Sequence, residues 1–115
     1  MTTIYGIKNC DTMKKAMKWL DNNNVEYQFH DYKKSGLDKK TLTAWCKQVD
    51  WEILLNRRGT TWRKLPDEVK NEVTKASAIE LMIENPSMVK RPVLIAGDDI
   101  LVGFSEENYL QALVT

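Results

Sequence analysis

The sequence predicts an α/β fold with a mixed four-stranded sheet. The chain begins with the pattern of a strand, a helix and a strand, and it ends with the pattern of a hairpin and a helix. A strand–helix–strand unit pairs its two strands in parallel through a right-handed crossover. The hairpin adds antiparallel strands. An all-helical block is expected between these two parts.

The first three elements follow from the spacing of apolar residues. Residues 3–7 form a short apolar run, and a helix is expected from about Cys10 to Asn22. Apolar residues recur in that helix at the spacing of one helix face. Asn9 is the expected N-cap, because asparagine favours that position. The alternation of apolar and polar residues over 25–29 predicts a second strand with one buried face.

The central block has the caps and stripes of several helices. Asp38 is the expected cap of the first, Pro66 fits the first position of another, and Ser77 is expected to start a third. Cys46 falls on the apolar stripe of the first of these helices. Free cysteine is among the most buried residue types, so we expect a structural role for Cys46.

The end of the chain has the pattern of a hairpin followed by a helix. Residues 92–96 and 100–104 are apolar runs, and the turn between them contains glycine and two aspartates. Ser105 is the expected cap of the last helix, and two glutamates follow it in the first turn.

Length and composition limit the classes of function. A chain of 115 residues fits one domain. The net charge of +1 gives no field that would favour nucleic acid or an anionic membrane. No apolar run approaches the roughly 20 residues of a membrane span, and the first residues lack the pattern of a secretory signal. No apolar stripe is left uncovered, so a monomer is expected.

Cysteine and histidine usage indicates the compartment and argues against a metal centre. The two cysteines belong to no CxxC pair, which favours a reducing cytoplasm. The single histidine, His30, argues against a site built from Cys and His clusters. We therefore expect no metal.

Cys10 is the most informative residue of the sequence. It lies between a predicted strand and the start of a predicted helix, where backbone N–H groups and the helix dipole favour negative charge. Such surroundings lower a thiol pKa from about 8.5 to roughly 3.5–7.5 and so produce the nucleophilic thiolate. From its position alone, Cys10 is either a reactive thiol or a buried, inert one.

Arg91 and Pro92 form the second informative feature. A proline directly before a buried strand belongs at the first position of the strand or at a sheet edge, because it cannot donate to the ladder. Bonds that precede proline are also the only common cis peptides. A cis bond here would turn Arg91 toward whatever lies in front of the strand.

These features together resemble a known family. The order of elements, the cysteine after the first strand and the Arg-Pro before the third resemble the thioredoxin superfamily. More narrowly, Ile4-Tyr5-Gly6 leading to Cys10, LLNRRG at 54–59 and NPSMVKRPV at 85–93 resemble the arsenate reductase (ArsC) and Spx family. The YffB-type branch is the nearest in pattern; its members are small cytoplasmic proteins suspected of glutathione-dependent thiol reduction.

The resemblance implies the domain organisation and the site. It implies a single thioredoxin-like domain over residues 1–115, with a helical insertion at about 38–85. Cys10 would be the nucleophile, and Pro92 would take the place of the cis proline of the superfamily. Arg57 and Arg91 match the two arginines near the cysteine, whose planar forks suit the carboxylates of glutathione or the oxygens of arsenate.

Two assignments stay open at this point. Arg58 could serve in place of Arg57, because adjacent side chains point in different directions. Lys8 either adds positive potential to the glutathione-binding site or is simply a solvated lysine.

Three positions depart from the family pattern. The arsenate reductases carry a histidine four residues before the cysteine and a third arginine near the end of the chain; Gly6 and about Gly103 occupy these positions here. The Spx regulators carry a second cysteine where this chain has Met13. These differences count against arsenate as the natural substrate and remove an intramolecular disulfide switch.

The sequence thus leads to three hypotheses. The first is a glutathione-dependent thiol/disulfide reductase that uses only Cys10, with glutathione or a glutathionylated substrate as partner and glutathione clearing the intermediate. The second is an arsenate reductase that works with glutathione and glutaredoxin. The third is a non-catalytic Spx-like regulator that binds RNA polymerase. None of them requires a metal, nucleic acid or a membrane.

Overall fold

The computed structural model describes residues 2–114. The chain folds into two compact units. The first contains the chain up to Ser35 and from Arg91 onward, and the second spans Gly36–Lys90. The second unit contains the segment at about 38–85, where the family resemblance implies an insertion. That both units belong to a single domain stays a prediction.

Four strands and eight α-helices, with one 3₁₀ helix, form the described part of the chain. In chain order they are β1 (Thr2–Gly6), α1 (Asp11–Asn22), β2 (Gln28–Asp31), α2 (Tyr32–Ser35), α3 (Lys39–Gln48), α4 (Trp51–Leu54), α5 (Thr60–Arg63), α6 (Asp67–Asn71), α7 (Lys75–Glu84), the 3₁₀ helix (Pro86–Met88), β3 (Val93–Ala96), β4 (Asp99–Val102) and α8 (Glu106–Leu113). None of these helices within residues 2–114 has the length and apolar character that a membrane span requires.

The sheet of the first unit is mixed and four-stranded, as the sequence predicts. Its strand order is β2-β1-β3-β4. Strands β1 and β2 are parallel, whereas β1 with β3 and β3 with β4 are antiparallel. The α/β class and the thioredoxin-like sheet pattern are therefore confirmed. The central strand β1 ends at Gly6, four residues before Cys10.

Helix α1 packs its predicted apolar face against the sheet. The 3.6-residue period brings Met13, Ala16, Met17 and Leu20 to one side of the helix; Met13, Ala16 and Leu20 are fully buried there, whereas Met17 is partly buried. The last helix, α8, is capped by Ser105 as predicted, with the Ser105 hydroxyl accepting from the Asn108 N–H. The core of this unit consists of Ile4, Met13, Ala16, Leu20, Leu94 and Tyr109.

Strand β2 spans Gln28–Asp31, so it begins three residues and ends two residues later than the predicted strand at 25–29. The parallel register pairs Thr3 with Gln28 and Gly6 with Asp31, so the strand follows β1 to its end. Val25 and Tyr27 still pack against the core, although they lie before the strand. The alternation over 25–29 therefore indicates burial correctly, whereas the predicted limits of the strand are wrong.

Side-chain caps start helices α3, α4 and α7 of the second unit. The Asp38 carboxylate accepts a hydrogen bond of 2.7 Å from the Thr41 N–H and starts α3, as predicted. Helix α7 begins at Lys75, two residues before the predicted Ser77, because Thr74 and Ser77 form a reciprocal capping box. Pro66 is the N-cap of α6 and not its first residue.

A short backbone ladder orders the segment after α4. Leu55 forms an isolated antiparallel bridge with Val89. The Asn56 N–H donates to the Met88 carbonyl at 2.7 Å, and the Lys90 N–H donates to the Leu54 carbonyl at 2.8 Å. This pairing fixes the backbone immediately before the basic turn at 57–58.

The structure predicts that Tyr109 can be replaced by phenylalanine without loss of stability. Its ring makes edge-on contacts with Trp19 and Phe104, whereas its buried hydroxyl has no hydrogen-bond partner among residues 2–114. Tyr109→Phe keeps the ring contacts and removes a group whose unsatisfied burial costs about 1–3 kcal/mol. We expect the free energy of unfolding in urea to stay unchanged or to rise by about 1 kcal/mol.

Tyr109→Ala is the comparison variant, and it should lower the free energy of unfolding by about 3–5 kcal/mol. A loss of more than about 1 kcal/mol in Tyr109→Phe would show that the hydroxyl has a stabilising partner.

Candidate functional site

Cys10 is the N-cap of helix α1. Its backbone is extended, with φ −136° and ψ 127°, and its carbonyl accepts the first helical hydrogen bond from the Lys14 N–H at 3.0 Å. The prediction that Asn9 caps this helix is therefore wrong. The Cys10 side chain is half-buried and packs against the core of the first unit. Its sulfur thus lies at the positive end of a twelve-residue helix.

Opposing effects set the pKa of Cys10. Burial is the largest single effect and raises the pKa, because it disfavours the thiolate. The backbone N–H of Met13, the Arg91 guanidinium and the backbone N–H of Thr12 act in the other direction. Their combined effect exceeds that of burial, so the pKa of Cys10 is lowered from its ordinary value.

Two backbone N–H groups at the start of α1 favour the Cys10 thiolate as hydrogen-bond donors. The Cys10 side chain makes no capping hydrogen bond of usual geometry. The Met13 and Thr12 N–H groups nevertheless stabilise the charge, as the exposed donors of a helix N-terminus do. Arg91 adds both a hydrogen bond and a positive charge. Within the described residues, its guanidinium is the only side chain among the groups that lower this pKa.

Arg91 and Pro92 stand at the entrance to β3. The Arg91–Pro92 peptide bond is cis, as the sequence suggests. Pro92 is buried and precedes the first residue of β3, Val93, and its carbonyl accepts from the Gly103 N–H at 2.8 Å. Arg91 is itself partly buried, so its guanidinium acts on Cys10 with limited screening by solvent.

Tyr32 is a site neighbour that sequence reasoning missed. Its side chain is almost wholly buried, and its hydroxyl has no hydrogen-bond partner among the described residues. Burial raises the pKa of Tyr32 strongly, Tyr5 raises it further, and Arg91 lowers it. The phenol therefore stays neutral and does not neutralise Arg91. A tyrosine directly after an edge strand carries no signal of this placement in the sequence.

Larger side chains at Gly6 and Gly103 would meet different local constraints. A Cβ at Gly6 would overlap the Met13 Sδ and lie 2.7 Å from the Met13 Cε. Gly103 has φ +82°, a left-handed conformation that L side chains rarely adopt. A histidine at position 6 or an arginine at position 103 would therefore require local rearrangement.

Arg57 belongs to the second unit, where two tryptophans and a glutamate surround it. Its guanidinium carbon lies 5.9 Å from the Trp51 ring centroid and 5.6 Å from that of Trp62. A nitrogen of the same group lies 3.8 Å from a carboxylate oxygen of Glu52. The predicted role of Arg57 toward the Cys10 thiolate stays a prediction.

The structure gives less support for a functional role of Lys8 and Cys46. Lys8 is exposed, and it is not among the groups that lower the pKa of Cys10. Cys46 is half-buried on α3; burial raises its pKa, Lys75 lowers it and Asp50 raises it, with a net increase. No group of three or more His, Cys, Asp or Glu side chains among residues 2–114 could hold a metal ion.

The chain matches a known family over most of its length. The model of the ArsC family matches residues 5–112. An uncharacterized protein of Haemophilus influenzae is 47% identical over 112 residues, which cover 97% of this chain and 98% of that protein. The global transcriptional regulator Spx of Streptococcus agalactiae is 28% identical over 110 residues, which cover 94% of this chain and 80% of the regulator.

Solved structures agree with this assignment. The YFFB protein superimposes with a TM-score of 0.96 at 52% identity, covering 99% of this chain and 100% of that chain. An arsenate reductase (ArsC) related protein from Brucella melitensis, solved in solution, is 56% identical with a TM-score of 0.78, covering 99% of this chain and 95% of that chain.

The placement of Arg91 predicts how its removal changes Cys10. Arg91→Gln takes away a hydrogen bond and a positive charge, so the pKa of Cys10 should rise and its alkylation at neutral pH should slow. The measurement is the rate of iodoacetamide alkylation of Cys10 against pH, followed by mass spectrometry of the peptide.

The matched control is Arg63→Gln, which removes an exposed arginine from the second unit and should leave the alkylation profile unchanged. An Arg91→Gln profile that coincides with the unaltered protein would remove Arg91 from the thiolate's surroundings.

Proposed function

The chain belongs to the ArsC family, and from this premise we propose that it is a glutathione-dependent thiol–disulfide reductase with Cys10 as its only nucleophile. The observation that carries the proposal is the lowered pKa of a half-exposed cysteine at a helix N-terminus beside an arginine. A lowered pKa increases the fraction of thiolate, which is the species that attacks a disulfide.

The first step of the proposed reaction is thiol–disulfide exchange. The Cys10 thiolate attacks the glutathione sulfur of a mixed disulfide, and a new sulfur–sulfur bond forms while the substrate's sulfur–sulfur bond breaks. The substrate leaves as a thiolate and takes a proton from solvent. Cys10 is then held as a mixed disulfide with glutathione.

The second step regenerates the enzyme with an external thiol. The thiolate of a second glutathione attacks the glutathione sulfur on Cys10 and releases oxidised glutathione and the free Cys10 thiolate. Met13 occupies the position where a CxxC motif has its second cysteine, so no resolving thiol is available within that motif. In sum, one mixed disulfide and one free glutathione give the substrate thiol and oxidised glutathione, so the free glutathione is the reductant.

The charged groups have binding roles in this proposal. Arg91 stabilises the Cys10 thiolate and, with Arg57, binds the carboxylates of glutathione, because guanidinium forks pair well with carboxylates. Pro92 presents its backbone to the glutathione moiety, and Lys8 adds positive potential at the rim. Binding roles for Arg57, Pro92 and Lys8 rest on the family resemblance and on charge.

Arsenate reduction is the alternative activity that the family suggests. The Brucella melitensis protein is described as related to an arsenate reductase. Two positions weigh against this substrate here, because Gly6 and Gly103 replace side chains that would help to bind an oxyanion. We expect arsenate to be reduced slowly or not at all in the presence of glutathione and glutaredoxin.

A regulatory role is the second alternative. The Spx relative is described as a global transcriptional regulator. Without a second cysteine at Met13, a disulfide switch of the CxxC kind cannot form, whereas a contact with RNA polymerase needs no such switch. Retention of this chain by the polymerase α subunit in a pull-down, together with an unreactive Cys10, would favour this role over the enzyme.

The proposed setting follows from the chemistry. Both cysteines are free thiols. Free thiols and a glutathione co-substrate fit a reducing compartment, so we propose that the protein acts in the cytoplasm as a monomer.

Incubation with oxidised glutathione tests the proposed chemistry. The intact protein should gain one glutathione, located on Cys10 by peptide mass spectrometry. Cys10→Ser should gain none at this position and lose reductase activity, whereas Cys46→Ser should behave like the unaltered protein. An adduct on Cys46 alone, or none, would contradict the proposed mechanism.

Steady-state assays test the binding role of Arg91. Arg91→Ala should raise KM for a small glutathione mixed disulfide by roughly tenfold to a hundredfold, the effect of losing a hydrogen bond to a charged group. The exposed-arginine variant Arg63→Ala should match the unaltered protein. An unchanged KM in Arg91→Ala would place the glutathione carboxylates elsewhere.

A further inference from the structure

The guanidinium of Arg57 is held by contacts that its neighbour Arg58 lacks. Arg57 lies over two tryptophan rings at centroid distances of 5.9 and 5.6 Å, both within the range of about 6 Å for cation–π attraction. Within residues 2–114, the side chain of Arg58 forms neither an ion pair nor a ring contact. The two adjacent arginines therefore differ in how firmly they are positioned.

The backbone beneath Arg57 is fixed as well. The Asn56 N–H donates to the Met88 carbonyl at 2.7 Å, and the Asn56 side-chain oxygen accepts from the Arg58 N–H at 3.2 Å. Leu55 bridges to Val89. The Arg57 side chain thus starts from an ordered backbone and ends in an ordered guanidinium, although 46% of the side chain remains exposed.

The two rings differ in burial, which sets how rigid the contact is. Trp62 is 8% exposed and forms part of the core of the second unit, so its ring position is fixed by packing. Trp51 is half-buried at the first position of α4. Aromatic contact covers guanidinium surface while leaving its in-plane N–H donors directed outward.

A carboxylate already interacts with one of those donors. Glu52 lies 3.8 Å from an Arg57 nitrogen, and the Glu52 side chain is 56% exposed. An ion pair at this exposure is weak, because water and salt screen it. A ligand carboxylate with two well-aligned hydrogen bonds can therefore displace Glu52.

From these contacts we propose that Trp51 and Trp62 form an aromatic clamp that presents Arg57, and not Arg58, as a preordered receptor for a glutathione carboxylate, with Glu52 as its internal competitor. The inference rests on the proposed function. Trp51, Trp62 and Glu52 act through Arg57, so they are positioning residues. Ordering the long Arg57 side chain before binding removes part of the entropy cost of holding it in the complex.

The first arm of the test measures the clamp without any ligand. In the unaltered protein, ring currents should shift the Arg57 side-chain proton resonances upfield in an NMR spectrum. Trp51→Leu should lose much of that shift, and Trp51→Phe should keep most of it. Equal Arg57 resonances in all three proteins would overturn the clamp.

The second arm measures binding with S-methylglutathione, which cannot undergo exchange. Trp51→Leu should raise Kd about threefold to tenfold, the weight of one cation–π contact, and Trp51→Phe should stay within about twofold. Glu52→Gln should lower Kd by about twofold to fivefold, because it removes the competitor. Glu80→Gln is the matched control, since Glu80 forms an ion pair with Lys39 at 57% exposure.

The outcomes separate the clamp from the proposed function. If Arg57→Ala raises Kd and Trp51→Leu does not, Arg57 is a receptor and the clamp is wrong. If Arg57→Ala leaves Kd unchanged while Arg58→Ala raises it, the assignment to Arg57 is wrong. If glutathione adds to Cys10 in all variants at normal rates, the nucleophile stands whether or not the clamp does.

Discussion

The Cys10 sulfur lies where burial and electrostatic donors oppose each other, and the chemistry of the chain depends on which effect dominates. Burial against the sheet disfavours a charged sulfur, whereas the start of α1 and the Arg91 guanidinium favour it. The donors prevail, so the thiolate is stabilised in a half-buried position. A more exposed thiolate would be stabilised mainly by water, because water weakens the interactions between the sulfur and the charged groups of the protein.

The sheet positions both partners of this interaction. Strand β1 is central, and the loop after it carries Cys10 to the beginning of α1, whose buried face fixes the helix on the sheet. Strand β3 pairs with β1 and begins directly after Pro92. The end of β1 lies beside the start of β3, with Tyr5 paired to Val93, so the sheet places the segments that carry Cys10 and Arg91 next to each other.

Local packing and backbone conformation also limit the side chains that positions 6 and 103 could carry. Met13 fills the space over Gly6 and is itself fully buried. A side chain at position 6 would therefore require the Met13 side chain to move. At Gly103 the φ of +82° favours glycine, although nothing lies within 4 Å of the place that a Cβ would take. The two positions thus disfavour larger side chains for different reasons, the first because of packing and the second because of backbone conformation.

Much of the fold could be predicted from the sequence because local signals agreed with the final structure. The stripe of α1, the caps Asp38 and Ser105, and the hairpin all depend on residues close in sequence. The limits of β2 could not be predicted, because pairing with β1 decides where that strand ends. The start of α7 at Lys75 depends instead on a local signal, the reciprocal capping of Thr74 and Ser77, which the prediction of a start at Ser77 overlooked.

The residues of the candidate site also differ in whether the sequence could predict them. Cys10 and Arg91 could be identified because a strand–helix junction and an Arg-Pro pair can be recognised in the sequence. The ring contacts of Arg57 and the burial of Tyr32 could not, because they depend on residues that only the fold brings together. The sequence shows the type of a residue and its local structural context, whereas the contact partners of that residue depend on tertiary packing.

The most direct measurement compares the two thiols of the unaltered protein in one sample. Cys10 and Cys46 are alkylated over a range of pH, and each is quantified by peptide mass spectrometry. The pKa of Cys10 should lie below the ordinary thiol value, whereas burial should place the pKa of Cys46 above it. Titration of Cys10 at or above the ordinary value would contradict the claim that the helix terminus and Arg91 stabilise a thiolate.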